Sequence, residues 1–128
     1  MRLLLLALLL FGDGAHAQAP ARPSGPMSDP DAWMQRGTVE LTLLDKVRAQ
    51  PSRIQVRVGQ SATFGTLTIA VRHCVTRPAD LPADNAAFLD VTDSRPNGTT
   101  FRGWMLAGAP SLSQLEHPLY DVRVTACR

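Results

Sequence analysis

Past residue 38 the apolar side chains fall on alternate positions. Val39, Leu41 and Leu43 alternate with Glu40 and Thr42, and Ile54, Val56 and Val58 alternate with Gln55 and Arg57. Leu67, Ile69 and Val71 alternate with Thr68, Ala70 and Arg72, and Tyr120, Val122 and Val124 with Asp121, Arg123 and Thr125. A period of two sends successive side chains to opposite faces, so each run predicts a strand with one face buried and one solvated. Residues 86–91 and 101–106 carry apolar groups on both phases, which predicts strands covered on both sides and placed more centrally.

The punctuation agrees with this division. Gly59-Gln60 turns the chain between the second and third of these runs, and Pro78 and Pro82 bracket an irregular connection. Asn97-Gly98 predicts a two-residue hairpin, because both central positions of that turn need positive φ. With Thr99 the same pair also forms an Asn-Gly-Thr glycosylation sequon. Only the stretch from Ser111 to Glu116 suggests a helical turn, with Ser113 and Glu116 spaced as a capping box. The expected fold is a small antiparallel β-sandwich or barrel of about six to eight short strands, with at most one helical turn.

The start of the chain reads differently. Met1 and Arg2 precede an unbroken apolar run from Leu3 to Phe11, Gly12-Asp13-Gly14 ends it, and Ala15-His16-Ala17 offers small residues where a signal peptidase cuts. This predicts a signal peptide over residues 1–17, cleaved after Ala17. A bilayer-spanning helix needs roughly 20 apolar residues, so no membrane span is expected. No cysteine precedes Cys74, which excludes a lipidated cysteine at the cleavage site. Residues 18–35 hold Pro20, Pro23, Pro26 and Pro30 among small polar residues and predict a flexible leader, with Trp33 and Met34 docking its end. The single β domain is then expected over residues 36–128.

Lysine occurs once, at Lys46, while arginine supplies the other basic residues; with abundant alanine this fits a GC-rich bacterial genome. The net charge of +2 has no Lys/Arg cluster to concentrate it, so no nucleic-acid partner is expected. The periplasm is the expected compartment.

An even cysteine count in an oxidising compartment predicts a Cys74–Cys127 disulfide. Counted without a bulge, Cys74 follows Arg72 and Cys127 follows Arg123 and Thr125, both on the polar phase. Two side chains on one outer face meet if their strands are neighbours, so the expectation is a bond between adjacent strands of one sheet. His73 beside Cys74 makes a poor metal pair, since neighbours on a strand diverge, and no Cys-x-x-Cys is present; neither metal nor cofactor is expected.

Two stretches hold candidate chemistry. In Glu116-His117-Pro118-Leu119-Tyr120-Asp121, a catalytic reading makes His117 a general base oriented by Asp121 or Glu116. Ser111 and Ser113 are near in sequence, but no strained turn presents either as a nucleophile. The structural reading has His117-Pro118 cap the start of the last strand, with Tyr120 in the core and Asp121 bonded to the loop. Trp104 likewise either fills the core or stacks on a sugar or peptide, with Gly103 allowing close approach. Asp45-Lys46 reads as an exposed turn.

Several runs together carry a family resemblance: Val58-Gly59-Gln60; Phe64-Gly65-Thr66-Leu67-Thr68-Ile69; Val71-Arg72-His73-Cys74 with Arg77-Pro78; and Asn85-Ala86-Ala87-Phe88-Leu89. Phe101-Arg102-Gly103-Trp104-Met105 and Leu115-Glu116-His117-Pro118-Leu119-Tyr120-Asp121-Val122 with Cys127 complete it. In this order they resemble the exported bacterial family catalogued as domain of unknown function 2155, from about Leu44 onward. Arg123 stands where the resemblance implies an aromatic residue. The resemblance implies an envelope location and paired cysteines, and carries no activity. The expected function is a cell-envelope module that binds a protein partner or a polysaccharide or peptidoglycan ligand, with Trp104, His117, Tyr120 and Asp121 as candidate binding residues. The competing expectation is a small hydrolase of envelope polymers that uses His117.

Overall fold

The computed structural model describes Gly14 and residues 33–128. The expected signal peptide over residues 1–17, apart from Gly14, and most of the expected leader lie outside the described residues. Among the described residues eight strands make the fold: β1 (Met34–Gln35), β2 (Thr38–Asp45), β3 (Gln50–Arg57), β4 (Ser61–Phe64), β5 (Leu67–Thr76), β6 (Asn85–Asp93), β7 (Phe101–Leu106) and β8 (Tyr120–Cys127). They form two antiparallel sheets. One runs β1-β5-β6-β7 with β4 also paired to β5, and the other runs β3-β2-β8. Every strand expected from the alternation is present; β1 and the short β4 are additions.

The core lies between the sheets. Val39, Leu41, Leu43, Val122 and Val124 from the smaller sheet meet Leu67, Ile69, Val71, Leu89 and Val91 from the larger one, all buried. These are the apolar phases of the alternating runs, and burying them is the main favourable term in folding. β6 is central, as its two apolar phases imply, but β7 is the edge of its sheet. Its outer phase is apolar because Trp104 and Leu106 pack beside Trp33, Val75 and Ala86 on the outside of that sheet. Trp33 is buried there, under the guanidinium of Arg77 at 5.0 Å from its ring centre.

The disulfide joins Cys74 and Cys127 as expected, with 5.6 Å between their Cα atoms. Its placement differs from the expectation. Cys74 belongs to β5 and Cys127 to β8, in different sheets, and both side chains are buried between the layers. Two bulges account for the difference. Val71 pairs Leu89 and His73 pairs Phe88, which leaves Arg72 as an extra residue. Leu41 pairs Val124 and Glu40 pairs Ala126, which leaves Thr125 extra. One inserted residue reverses the phase of everything after it. Each bulge falls two residues before a cysteine and turns it inward.

Two loop expectations also change. Asn97 has positive φ (57°) but Gly98 does not, and the connection from β6 to β7 is longer than a two-residue hairpin. Pro96 and Asn97 occupy the centre of a turn closed by the Gly98 N–H on the Arg95 carbonyl, at 3.0 Å. Proline fixes φ near −65° at the first central position, so only the second takes a positive value. The helical turn spans Pro110–Leu112, and Ser113 is extended (φ −153°), so Ser113 and Glu116 form no capping box.

Closing a loop over a sequence separation of 53 residues is worth about 4 kcal/mol in the chain-entropy account. Urea unfolding of the oxidised protein and of Cys74→Ala/Cys127→Ala should therefore differ by about that amount, with the variant less stable. A difference below about 1 kcal/mol would show that the cross-link does not restrict the unfolded chain.

Candidate functional site

The four candidate residues occupy three separate places. His117 and Tyr120 are together at one end of the sandwich, their ring centres 5.1 Å apart. Asp121 lies on β8, where its carboxylate accepts a 3.0 Å hydrogen bond from Arg123. Trp104 is on the outer face of the larger sheet.

His117 sits in the connection before β8, and its side chain is fully buried. Its Nδ1 accepts the backbone N–H groups of Leu119 (3.0 Å) and Tyr120 (3.1 Å). A ring nitrogen that accepts carries no proton, so the proton is on Nε2, which donates to Asp93 Oδ2 at 2.7 Å. Arg95 donates to the same carboxylate through Nε (3.0 Å) and Nη2 (2.8 Å). Lys46 adds a bond from Nζ to the His117 carbonyl, 2.7 Å. Asp93, rather than Asp121 or Glu116, is therefore the acid that orients His117. The Arg95 guanidinium holds the Asp93 carboxyl well below the usual carboxylate range, against the opposing effect of burial, and His117 adds to the lowering.

This arrangement fastens loops. It ties the end of β6 to the start of β8 and leaves His117 no free lone pair, so the ring is unsuited to taking a proton from a substrate. Tyr120 packs edge-on to Phe64, 5.5 Å between centroids, and lies over Gly65. Gly65 has φ +56°, and a side-chain carbon there would overlap the Tyr120 ring. Both constraints select glycine.

The outer face of the larger sheet is different. His73 on β5 pairs Phe88 on β6, and Phe88 pairs Trp104 on β7, so three aromatic residues stand in one cross-strand row. Phe88 meets each neighbour edge-on, at 6.2 Å from His73 and 5.5 Å from Trp104. The His73 and Trp104 rings lie within 21° of parallel, 5.9 Å apart. The β5 bulge makes this row possible, since it places Arg72 and His73 consecutively on the exposed side. Arg72, His73, Phe88, Arg102 and Trp104 line an open depression of about 550 Å³. Phe88 and Trp104 are half-buried, and the other three are exposed. Gly103 faces inward against the Phe101 ring, 3.6 Å from where a Cβ would stand, so it does not open the face of Trp104.

The smaller sheet presents nothing comparable outward. Glu40 there pairs with Arg53 and Arg128, and the hydroxyls of Thr42 and Thr125 bond at 2.8 Å. Among the described residues no group of three or more His, Cys, Asp or Glu side chains is placed to hold a metal, and no helix is long and apolar enough to cross a membrane. Trp104 was legible in the sequence as a candidate. His73, Phe88, Arg72 and Arg102 were missed, as were Asp93 and Arg95. The signal for Phe88 was present, since it shares its strand's outward phase with Asp90 and Thr92. Arg72 already fell on the polar phase, and placing His73 beside it on that face required the bulge.

The sequence that folds this way matches a bacterial family. The model of the family described as "Uncharacterized protein conserved in bacteria (DUF2155)" matches residues 39–127, and the chain belongs to that family. It is similar to an uncharacterised protein of Rickettsia prowazekii (strain Madrid E), with 26% identity over an alignment of 91 residues that covers 69% of this chain. The chain spans 59% of that relative's length. No solved structure matches it.

Loss of the Asp93 charge should be visible as acid instability. Its folded-state pKa lies below the unfolded value of about 3.9, so its contribution is complete above about pH 5 and is lost as pH falls through the carboxylate range. Unfolding free energy measured against pH should drop on the acid side, and Asp93→Asn should be less stable at neutral pH with a flatter acid limb. Parallel curves for the two proteins would remove Asp93 from this role. His117→Gln leaves the two backbone N–H groups without their acceptor and should cost about 2 kcal/mol at neutral pH.

Proposed function

We infer that the chain is a non-catalytic binding module of the cell envelope, and that its ligand sits on the outer face of the larger sheet. The observation that carries this reading is the row His73–Phe88–Trp104 flanked by Arg72 and Arg102. Half-exposed rings edged by cationic side chains are what recognition surfaces use, because rings give contact area at low conformational cost and guanidinium groups add direction. The polar outer face of the smaller sheet offers no such combination. A hydrolase acting through His117 finds no support in the geometry, since that ring is buried and both its nitrogens are engaged. The apolar run and small-residue site at the start of the chain support export to the periplasm as part of this reading.

Photo-crosslinking in living cells tests the proposal. A benzophenone amino acid at Thr92, which is exposed on the outer face of β6, should capture a partner or polymer. The same probe at Gln55 on the smaller sheet should capture none, and Trp104→Ala, which also removes packing beside Trp33, should lower the thermal midpoint yet abolish capture from Thr92 in protein that still unfolds cooperatively. Equal capture from both sheets, or capture insensitive to Trp104, would count against this face.

A further inference from the structure

We propose that the ligand of this face is an acidic polysaccharide, a chain of pyranose rings bearing carboxylates. The proposal rests on the binding-module reading and adds the chemical class that the surface recognises. Shape comes first. The aromatic row spans three adjacent strands, and two interstrand spacings make roughly 10 Å, about the length of a disaccharide. The depression is open and shallow rather than a closed pocket, so it suits a chain lying across the sheet, not a small molecule enclosed by it. Rings standing on a sheet face offer C–H and π surface to the apolar faces of sugars, and Trp104 and His73 add polar ring atoms at either end of the row.

Charge then selects within the sugars. The neighbouring outward positions carry Arg72, Asp90 and Arg102. Arg72 is 3.7 Å from Asp90. Arg102 lies directly opposite Asp90 in the register, yet it has no ion pair or side-chain hydrogen bond among the described residues and is exposed. Asp90 is the only acidic side chain in this set, so the face keeps an excess of positive charge, with a free guanidinium one row from the rings. A guanidinium fork donates two parallel hydrogen bonds to a carboxylate, an acceptor pair that a neutral sugar cannot supply.

Two other ligand classes fit less well. An extended peptide gains most of its affinity by pairing its backbone with a sheet edge. Here the aromatic row is centred on β6, whose backbone is already paired on both sides, and only Trp104, on β7, stands beside an open edge, so a peptide paired there would leave Phe88 and His73 unused. Nucleic acid needs many phosphate contacts, and two arginines with an acid between them supply few.

The test measures binding of the purified protein to polygalacturonate, alginate and hyaluronate by affinity electrophoresis and calorimetry. Their carboxyl-reduced forms and polyglutamate serve as controls. At least one acidic polysaccharide should bind, its carboxyl-reduced form should bind about tenfold more weakly, and polyglutamate should not compete. Arg102→Gln, an exposed change that leaves packing intact, should weaken binding about tenfold. Trp104→Ala should remove it. Equal binding of the reduced polymers overturns the carboxylate, and equal binding of polyglutamate overturns the sugar. If none of the three polysaccharides binds while crosslinking from Thr92 still captures a protein, the ligand class falls and the binding face stands. If crosslinking fails as well, both readings fall.

Discussion

Two sheets that share no hydrogen-bonded edge depend chiefly on what crosses the space between them. In this chain the apolar side chains cross it as a packed layer, and one covalent bond, Cys74–Cys127, crosses it as a fixed point. That bond depends on two single-residue insertions, at Arg72 and Thr125, each of which turns the following cysteine toward the core. The insertions have an outward effect too. On β5 the same bulge leaves Arg72 and His73 side by side on the solvent face, next to Phe88 and Trp104. The β5 irregularity thus contributes both to the tie that closes the core, together with the bulge on β8, and to the face assigned to ligand, where it sets His73 beside Phe88.

The remaining polar interior serves the loops. Asp93, Arg95, His117 and Lys46 hold the connection from β7 to β8 against the ends of β6 and β2, while Leu115 from that connection enters the core. Buried polar groups are tolerated where each has its partner, and His117 meets that condition with both ring nitrogens bonded. The end of the sandwich that holds these titratable groups is thereby fastened by them. The exposed aromatic row lies apart from it, so the charged network and the proposed ligand surface are separate devices.

The alternation of apolar residues located six of the eight strands and the inward side chains of Val39, Leu41, Leu43, Val122 and Val124, because a period of two is a local property of the chain. Ser61–Phe64 was not legible: four residues of mixed polarity gain their order from pairing with β5. The bulges were not legible either, since an extra residue shows itself only against a partner strand. That one omission moved the disulfide from between the layers to the outside of a single sheet in the sequence reading. Asp93 and His117 stand 24 residues apart, and nothing in either segment alone pairs them. Trp104 was legible as a residue of interest, but its row of neighbours is a matter of register.

The position of β2 has a consequence for how the molecule comes to be folded. It forms a hairpin with β3 from residues close in sequence, but its other edge is completed by β8, whose partners lie some 75 to 88 residues further along, from Asp45–Tyr120 to Val39–Cys127. Contacts of that separation are slow to form, because a long loop must be ordered before they are made. Until they are made, β2 presents an unpaired edge beside Val39, Leu41 and Leu43, the kind of edge that other chains can join. Cys74 waits over the same interval for Cys127. With two cysteines there is only one intramolecular pairing to find, so oxidation within the chain has no wrong isomer in which to trap it, and the hazard during folding lies in the open strand edge.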